Sequence, residues 1–118
     1  MQFWRYHLKT LKLLFRGFLF YTVFMNHCLY IIYSEAIDKY YVGETYDLEK
    51  RIEMHNVHSY KRAFTKAADD WYLKLAFNCK NREDALFLER FIKRMKSKKF
   101  IQKVILNPDI LKDILTKR

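Results

Sequence analysis

A chain of 118 residues, 51% hydrophobic and 31% charged, is the size of one domain and too apolar to be disordered throughout. Its 23 lysines and arginines outnumber 13 acids, for a formal net charge of +10. A fold does not need that excess, which favours a polyanionic partner, nucleic acid ahead of an anionic membrane, over a merely soluble basic surface. The two cysteines, Cys28 and Cys79, lack a CxxC or histidine-rich setting; this argues against zinc and for free buried thiols in a reducing cytoplasm.

Residues 1–24 stand apart. They carry Arg5, Lys9, Lys12 and Arg16 and no acid, and residues 17–34 form an eighteen-position run without formal charge if His27 is neutral. Such a run has the hydropathy of a signal anchor. Its second half, though, reads as a strand with a hairpin partner, and the remainder, 17–24, is too short to cross a bilayer. No small-residue cleavage site follows, so a secretory signal fits poorly. The expectation is an N-terminal extension without a membrane span: either upstream sequence read in frame before Met25, or a peripheral amphipathic helix.

From Cys28 the pattern sharpens. The segments "CLYIIYS" and "KYYVGET", β-branched and aromatic and separated by "EAID", predict a hairpin over 28–34 and 39–45. Asp47 can cap a helix through about His55, which places Leu48, Arg51, Ile52 and His55 on one face. A polar, basic connector over 56–70 leads to a third strand at "WYLKLAFNC", 71–79. Asn81 can cap a helix over 82–98 with a core stripe of Ala85, Leu88, Ile92 and Met95. Asn107-Pro108 breaks the chain before a last short helix at 109–117. The order β-β-α-β-α plus a short C-terminal helix predicts an α+β domain over 25–106, built on a small antiparallel sheet, with 107–118 as a tail.

Three groups of residues could carry chemistry. Glu89 lies on or beside the apolar stripe of its helix, between Ala85 and Ile92, so its carboxylate needs a cation, either a basic side chain or a hard divalent metal. Arg51 and His55 stand one turn apart: the guanidinium suits the charge that gathers on a phosphodiester, the imidazole can pass a proton, and a solvated helix face is the plain alternative. Five of the nine tyrosines fall between Tyr30 and Tyr46. A phenol becomes a usable base only beside a metal or cation, and tyrosine is also an ordinary strand residue.

The order of these residues resembles a known family. Cys28-Leu29-Tyr30, an eleven-residue step to Tyr41-Val42-Gly43, then Arg51, His55 and a helical Glu89 are similar to the GIY-YIG nuclease superfamily. That superfamily includes the nuclease domain of a bacterial repair excinuclease, several homing endonucleases and small stand-alone bacterial proteins. The stretches "YYVGETYDLEKRIEMHN" and "ALFLERFIKRMKS" carry the likeness, which spans about 28–106. It implies a three-stranded antiparallel sheet flanked by helices, with Tyr30 and Tyr41 as the motif tyrosines. Gly43 is then the motif glycine, making room for backbone beside the active face. Arg51 and His55 are implied to be catalytic, and Glu89 to be the single ligand of Mg²⁺ or Mn²⁺. Cys28 replaces the first motif glycine, and Glu44 stands where the excinuclease branch has lysine; Arg51 or Lys66 could supply the missing charge.

The implied activity is metal-dependent hydrolysis of DNA phosphodiester bonds, in DNA repair or recombination, with a tyrosine orienting or deprotonating the attacking water. Seven basic residues within 90–103, among them Arg90, Lys93, Arg94 and Lys96, support DNA binding independently. No base-reading module is recognisable, so low intrinsic specificity is expected, on DNA that is plain, branched or damaged. No small-molecule cofactor is expected, and the chain should be a monomer or weak dimer. A catalytically silent nucleic-acid-binding module is the competing reading.

Overall fold

The computed structural model describes residues 27–57 and 64–118, so the expectations for 1–24, and for most of the basic connector, lie outside the described residues. Three strands form one antiparallel sheet in the order β2-β1-β3: β1 (Cys28–Ser34), β2 (Lys39–Thr45) and β3 (Tyr72–Asn78). The run Cys28-Leu29-Tyr30-Ile31-Ile32 is apolar without alternation because β1 is the central strand and is covered on both faces. Cys28, Tyr30 and Ile32 point one way, Leu29 and Ile31 the other. The hairpin matches its predicted bounds, and β3 is one residue shorter at each end than expected. The β1–β3 register shifts between Ile31 and Ile32, which pair with Leu75 and Leu73, a bulge at Lys74.

Helix α1 (Leu48–Asn56) begins at Asp47, whose side chain accepts from the Lys50 backbone N–H. It lays Leu48 and Ile52 on the Tyr30 face, together with Ala68, Trp71 and Leu73. Ahead of β3 a single 3-10 turn covers Phe64–Ala67. Helix α2 (Arg82–Met95), capped by Asn81, puts Ala85, Leu88 and Ile92 on the opposite face, against Leu29, Ile31 and Val42. Both cysteines are free and buried, and burial pushes their thiols up to about 12 for Cys28 and about 11 for Cys79.

One expectation is corrected here. The helix expected over 82–98 stops at Met95, because Lys96 turns into the left-handed region at φ 48°. Ser97 then caps a further helix, α3 (Lys98–Leu106), which the sequence pattern did not predict, and α4 (Asp109–Thr116) follows Pro108. Met95, expected in the core stripe, is 47% exposed, since the elbow sends the chain off the sheet one residue later. Val104 of α3 and Leu111 of α4, both fully buried, join that apolar cluster instead. The α+β class and the three-stranded sheet flanked by helices stand as expected. Among the described residues no helix is long and apolar enough to cross a membrane.

Candidate active site

The site is built on β1, β2 and the last turn of α1. Tyr30 faces Gly43 across the ladder and is completely buried. A Cβ at position 43 would stand 2.5 Å from the Tyr30 hydroxyl oxygen and 2.6 Å from its Cζ. Glycine is needed here for space and not for a special backbone angle, since Gly43 has no positive φ. The tyrosine ring lies over the bare strand.

That ring reaches His55. The Tyr30 hydroxyl is 2.8 Å from His55 Nε2, and His55 Nδ1 is 2.7 Å from the Thr65 hydroxyl. All three are inaccessible to solvent: Tyr30 is 0%, His55 2% and Thr65 1% exposed. Burial first, and the nearby Arg51 charge second, push the imidazole down from 6.5 to about 4. His55 is therefore neutral near pH 7, with one ring nitrogen donating and the other accepting. Two complementary arrangements satisfy every partner. Either Tyr30 donates to Nε2 while Nδ1–H donates to Thr65, or Thr65 donates to Nδ1 while Nε2–H donates to the Tyr30 oxygen. In both the imidazole stays neutral and each hydroxyl of this relay is partnered.

The scaffold holds the relay from behind. Asn56, next to His55, clasps the main chain of Trp71, donating to its carbonyl at 2.9 Å and accepting its N–H at 2.7 Å. The Trp71 indole N–H in turn donates to the Thr65 carbonyl at 2.8 Å, which pins the 3-10 turn. Sequence reasoning assigned no role to Thr65, Asn56 or Trp71. Asn56 follows His55 directly but lies outside the apolar face of α1, and Thr65 has no periodic signal in its polar connector.

Tyr41, half-buried on the same face, packs its ring 4.9 Å from the His55 ring and 6.3 Å from that of Tyr30, centroid to centroid. The Lys93 ammonium stands 5.3 Å from the Tyr41 centroid and 2.6 Å from Glu89 Oε2, so it joins α2 to this edge of the sheet. Glu89 is thus found in the salt bridge that was one of its two sequence readings, with its side chain 19% exposed. Its other oxygen makes no hydrogen bond among the described residues. No group of three or more His, Cys, Asp or Glu converges anywhere among the described residues. A metal on Glu89 would draw its other ligands from water and substrate phosphate, as Mg²⁺ commonly does. One open oxygen at a solvent edge fits that donor set.

Arg51 is half-buried and, with Lys50 and Arg82, lines a cleft of about 540 Å³. Glu44, the residue standing in place of a lysine, also lines it. Its carboxylate is held by His27 at 3.0 Å and by Arg82 at 3.3 Å, so it anchors β2 to the start of α2. The structure thus brings Tyr30, Tyr41 and His55 into one cluster, puts the charge of Arg51 beside His55, and ties Glu89 to Tyr41 through Lys93. Lys66 is exposed on the 3-10 turn next to Thr65, and Arg90, Arg94 and Lys96 are exposed on and just beyond α2.

The family model of the GIY-YIG catalytic domain matches residues 26–103. No curated protein and no solved structure gives a significant match to the chain.

Proposed function

The chain belongs to the GIY-YIG catalytic-domain family, whose activity is of nuclease type, and from that premise we propose that it is a metal-dependent DNA endonuclease of low intrinsic sequence specificity, acting in DNA repair or recombination. The observation that carries the reading is the buried relay Tyr30–His55–Thr65 beside Arg51. A neutral imidazole stands between a buried phenol, Tyr30, and a half-buried one, Tyr41. Tyr41, half-buried against the His55 ring, would orient or deprotonate the attacking water, and the buried Tyr30–His55–Thr65 relay would hold that ring in place. Arg51 binds the charge that develops on the phosphate. Glu89 would hold Mg²⁺ or Mn²⁺, which supplies neutralisation of the scissile phosphate and the leaving oxygen. Lys66, Arg90, Lys93, Arg94 and Lys96 would contact substrate phosphates, and DNA, plain or branched, is the expected partner.

Supercoiled plasmid incubated with the full chain and Mg²⁺ or Mn²⁺ tests this. Nicking is expected, slower by at least about 100-fold in Arg51→Ala and in Glu89→Ala. Equal nicking by all three proteins would remove both residues from the chemistry. A second reading, a catalytically silent nucleic-acid-binding module, draws support from the Lys93 ammonium already seated on Glu89. It expects all three proteins to bind DNA and none to cut.

A further inference from the structure

Between the edge of β2 and the elbow that joins α2 to α3 runs a groove of about 490 Å³. Lys39, Lys93, Lys96 and Lys98 line it, against one carboxylate, Asp38. That acid is already neutralised: Asp38 accepts from Lys98 at 2.7 Å, and the Lys98 ammonium also donates to the Asp38 carbonyl at 3.2 Å. Lys98 therefore fastens the hairpin turn to the start of α3 and fixes the two walls of the groove. Lys39 and Lys96 make no ion pair among the described residues. The groove opens beside the candidate active site, because Tyr41 and Lys93 belong to both.

Lys96 supplies the second observation. It occupies the left-handed position that ends α2, φ 48° and ψ 41°, where glycine closes a helix most cheaply. Lysine gives the backbone nothing there. What it adds is an ammonium at the mouth of the groove. A strained residue beside a reactive centre points to a role for its side chain.

We propose that this groove seats the phosphate backbone of a single nucleic-acid strand, the flank of the substrate that continues from the scissile phosphate, with Lys39 and Lys96 as its unpaired phosphate contacts. The proposal rests on the nuclease reading for the identity of the polyanion. The volume is that of a pocket for a small organic molecule, room for a short piece of one strand's backbone and not for the width of a duplex. Tyr40 and Tyr41 both line the wall, Tyr40 from the α2 face of the sheet and Tyr41 from the α1 face. A chain of regularly spaced charges suits a row of lysines better than a compact anion does.

The test is equilibrium binding of the full chain to a short labelled oligonucleotide, single-stranded or in a blunt duplex, in EDTA and across a salt series. Lys96→Gly should bind the single strand about threefold more weakly at moderate salt, with a salt slope lower by about one, and its Tm should rise. Lys39→Ala should show the same loss of affinity and slope. Lys112→Ala, an equal change of charge on α4 outside the groove, should change neither. Unchanged binding by both groove variants, or an equal loss in Lys112→Ala, would overturn the groove and leave the nuclease reading standing. A loss confined to the duplex would overturn the single-strand assignment, and a loss accompanied by a lower Tm in Lys96→Gly would return Lys96 to a structural role. Failure of the wild-type chain to bind any nucleic acid at low salt would overturn both readings together.

Discussion

The two faces of one three-stranded sheet are filled in opposite ways. On the α2 face, Leu29 and Ile31 meet Ala85, Leu88, Ile92, Val104 and Leu111, a core without a polar side chain among its buried members. On the α1 face the same strand sends down Tyr30, and the core there contains the Tyr30–His55–Thr65 relay. Apolar burial tolerates many shapes, whereas a buried polar group must find a partner or it destabilises the fold. Among the described residues no buried side-chain nitrogen or oxygen lacks a partner. The α2 face accordingly supplies stability, and the α1 face holds groups in fixed relation at some cost in stability. Substitutions on the two faces should fail in different ways.

The largest effect is expected on the apolar face. Leu88→Ala removes a fully buried side chain and should lower stability by about 2–5 kcal/mol, read by denaturant unfolding. Activity per folded molecule should stay unchanged. A variant with normal stability, or one that folds but loses activity selectively, would break the division of labour. Next in size is Gly43→Ala on the polar face. Its Cβ would meet the Tyr30 ring at 2.5–2.9 Å, so the ring must move, and nicking should fall about 100-fold. The stability cost should be smaller, about 1–3 kcal/mol. Retention of full nicking would show that the Tyr30 position does not matter to the chemistry.

How much of this was legible in the sequence follows from the range of each interaction. The hairpin, α1 and the start of α2 are local, written in alternation, in the caps Asp47 and Asn81, and in a 3.6-residue stripe. The elbow was not, because Met95, Lys96 and Lys98 are all good helix formers and a lysine in the left-handed region leaves no mark in composition. The start of α3 did carry a signal: Ser97, then apolar pairs at Phe100-Ile101 and Val104-Ile105, which the longer predicted helix had absorbed in part. In the site, Tyr30, Tyr41, His55 and Glu89 were singled out by their order along the chain, whereas Thr65 and the Asn56–Trp71 clasp depend on contacts across ten and fifteen residues. Gly43 was expected to make room for backbone, and it makes room for Tyr30.

Thr65 sharpens the comparison on the polar face. Thr65→Val keeps the shape and removes the hydroxyl, leaving His55 Nδ1 without that partner. About tenfold slower nicking is expected, restored by Thr65→Ser, with the domain still folded in both variants. Equal rates for Val and Ser would reduce Thr65 to a packing residue.

The smallest effect separates the faces by pH. His55 titrates near 6.5 when unfolded and at about 4 when folded, so between these values the unfolded chain binds more protons than the native one. Stability from keeping this imidazole neutral is fully present above about 6.5 and is lost progressively as pH falls towards about 4. Tm of the wild-type chain should therefore drop across that window, and His55→Gln should flatten the drop relative to wild type. Leu88→Ala, with no titrating group at its site, should displace the whole curve downward without changing its slope. A parallel displacement in His55→Gln as well would mean that the imidazole is solvated in the native state, and the hydrogen-bonded relay through Thr65 would lose the burial on which it depends.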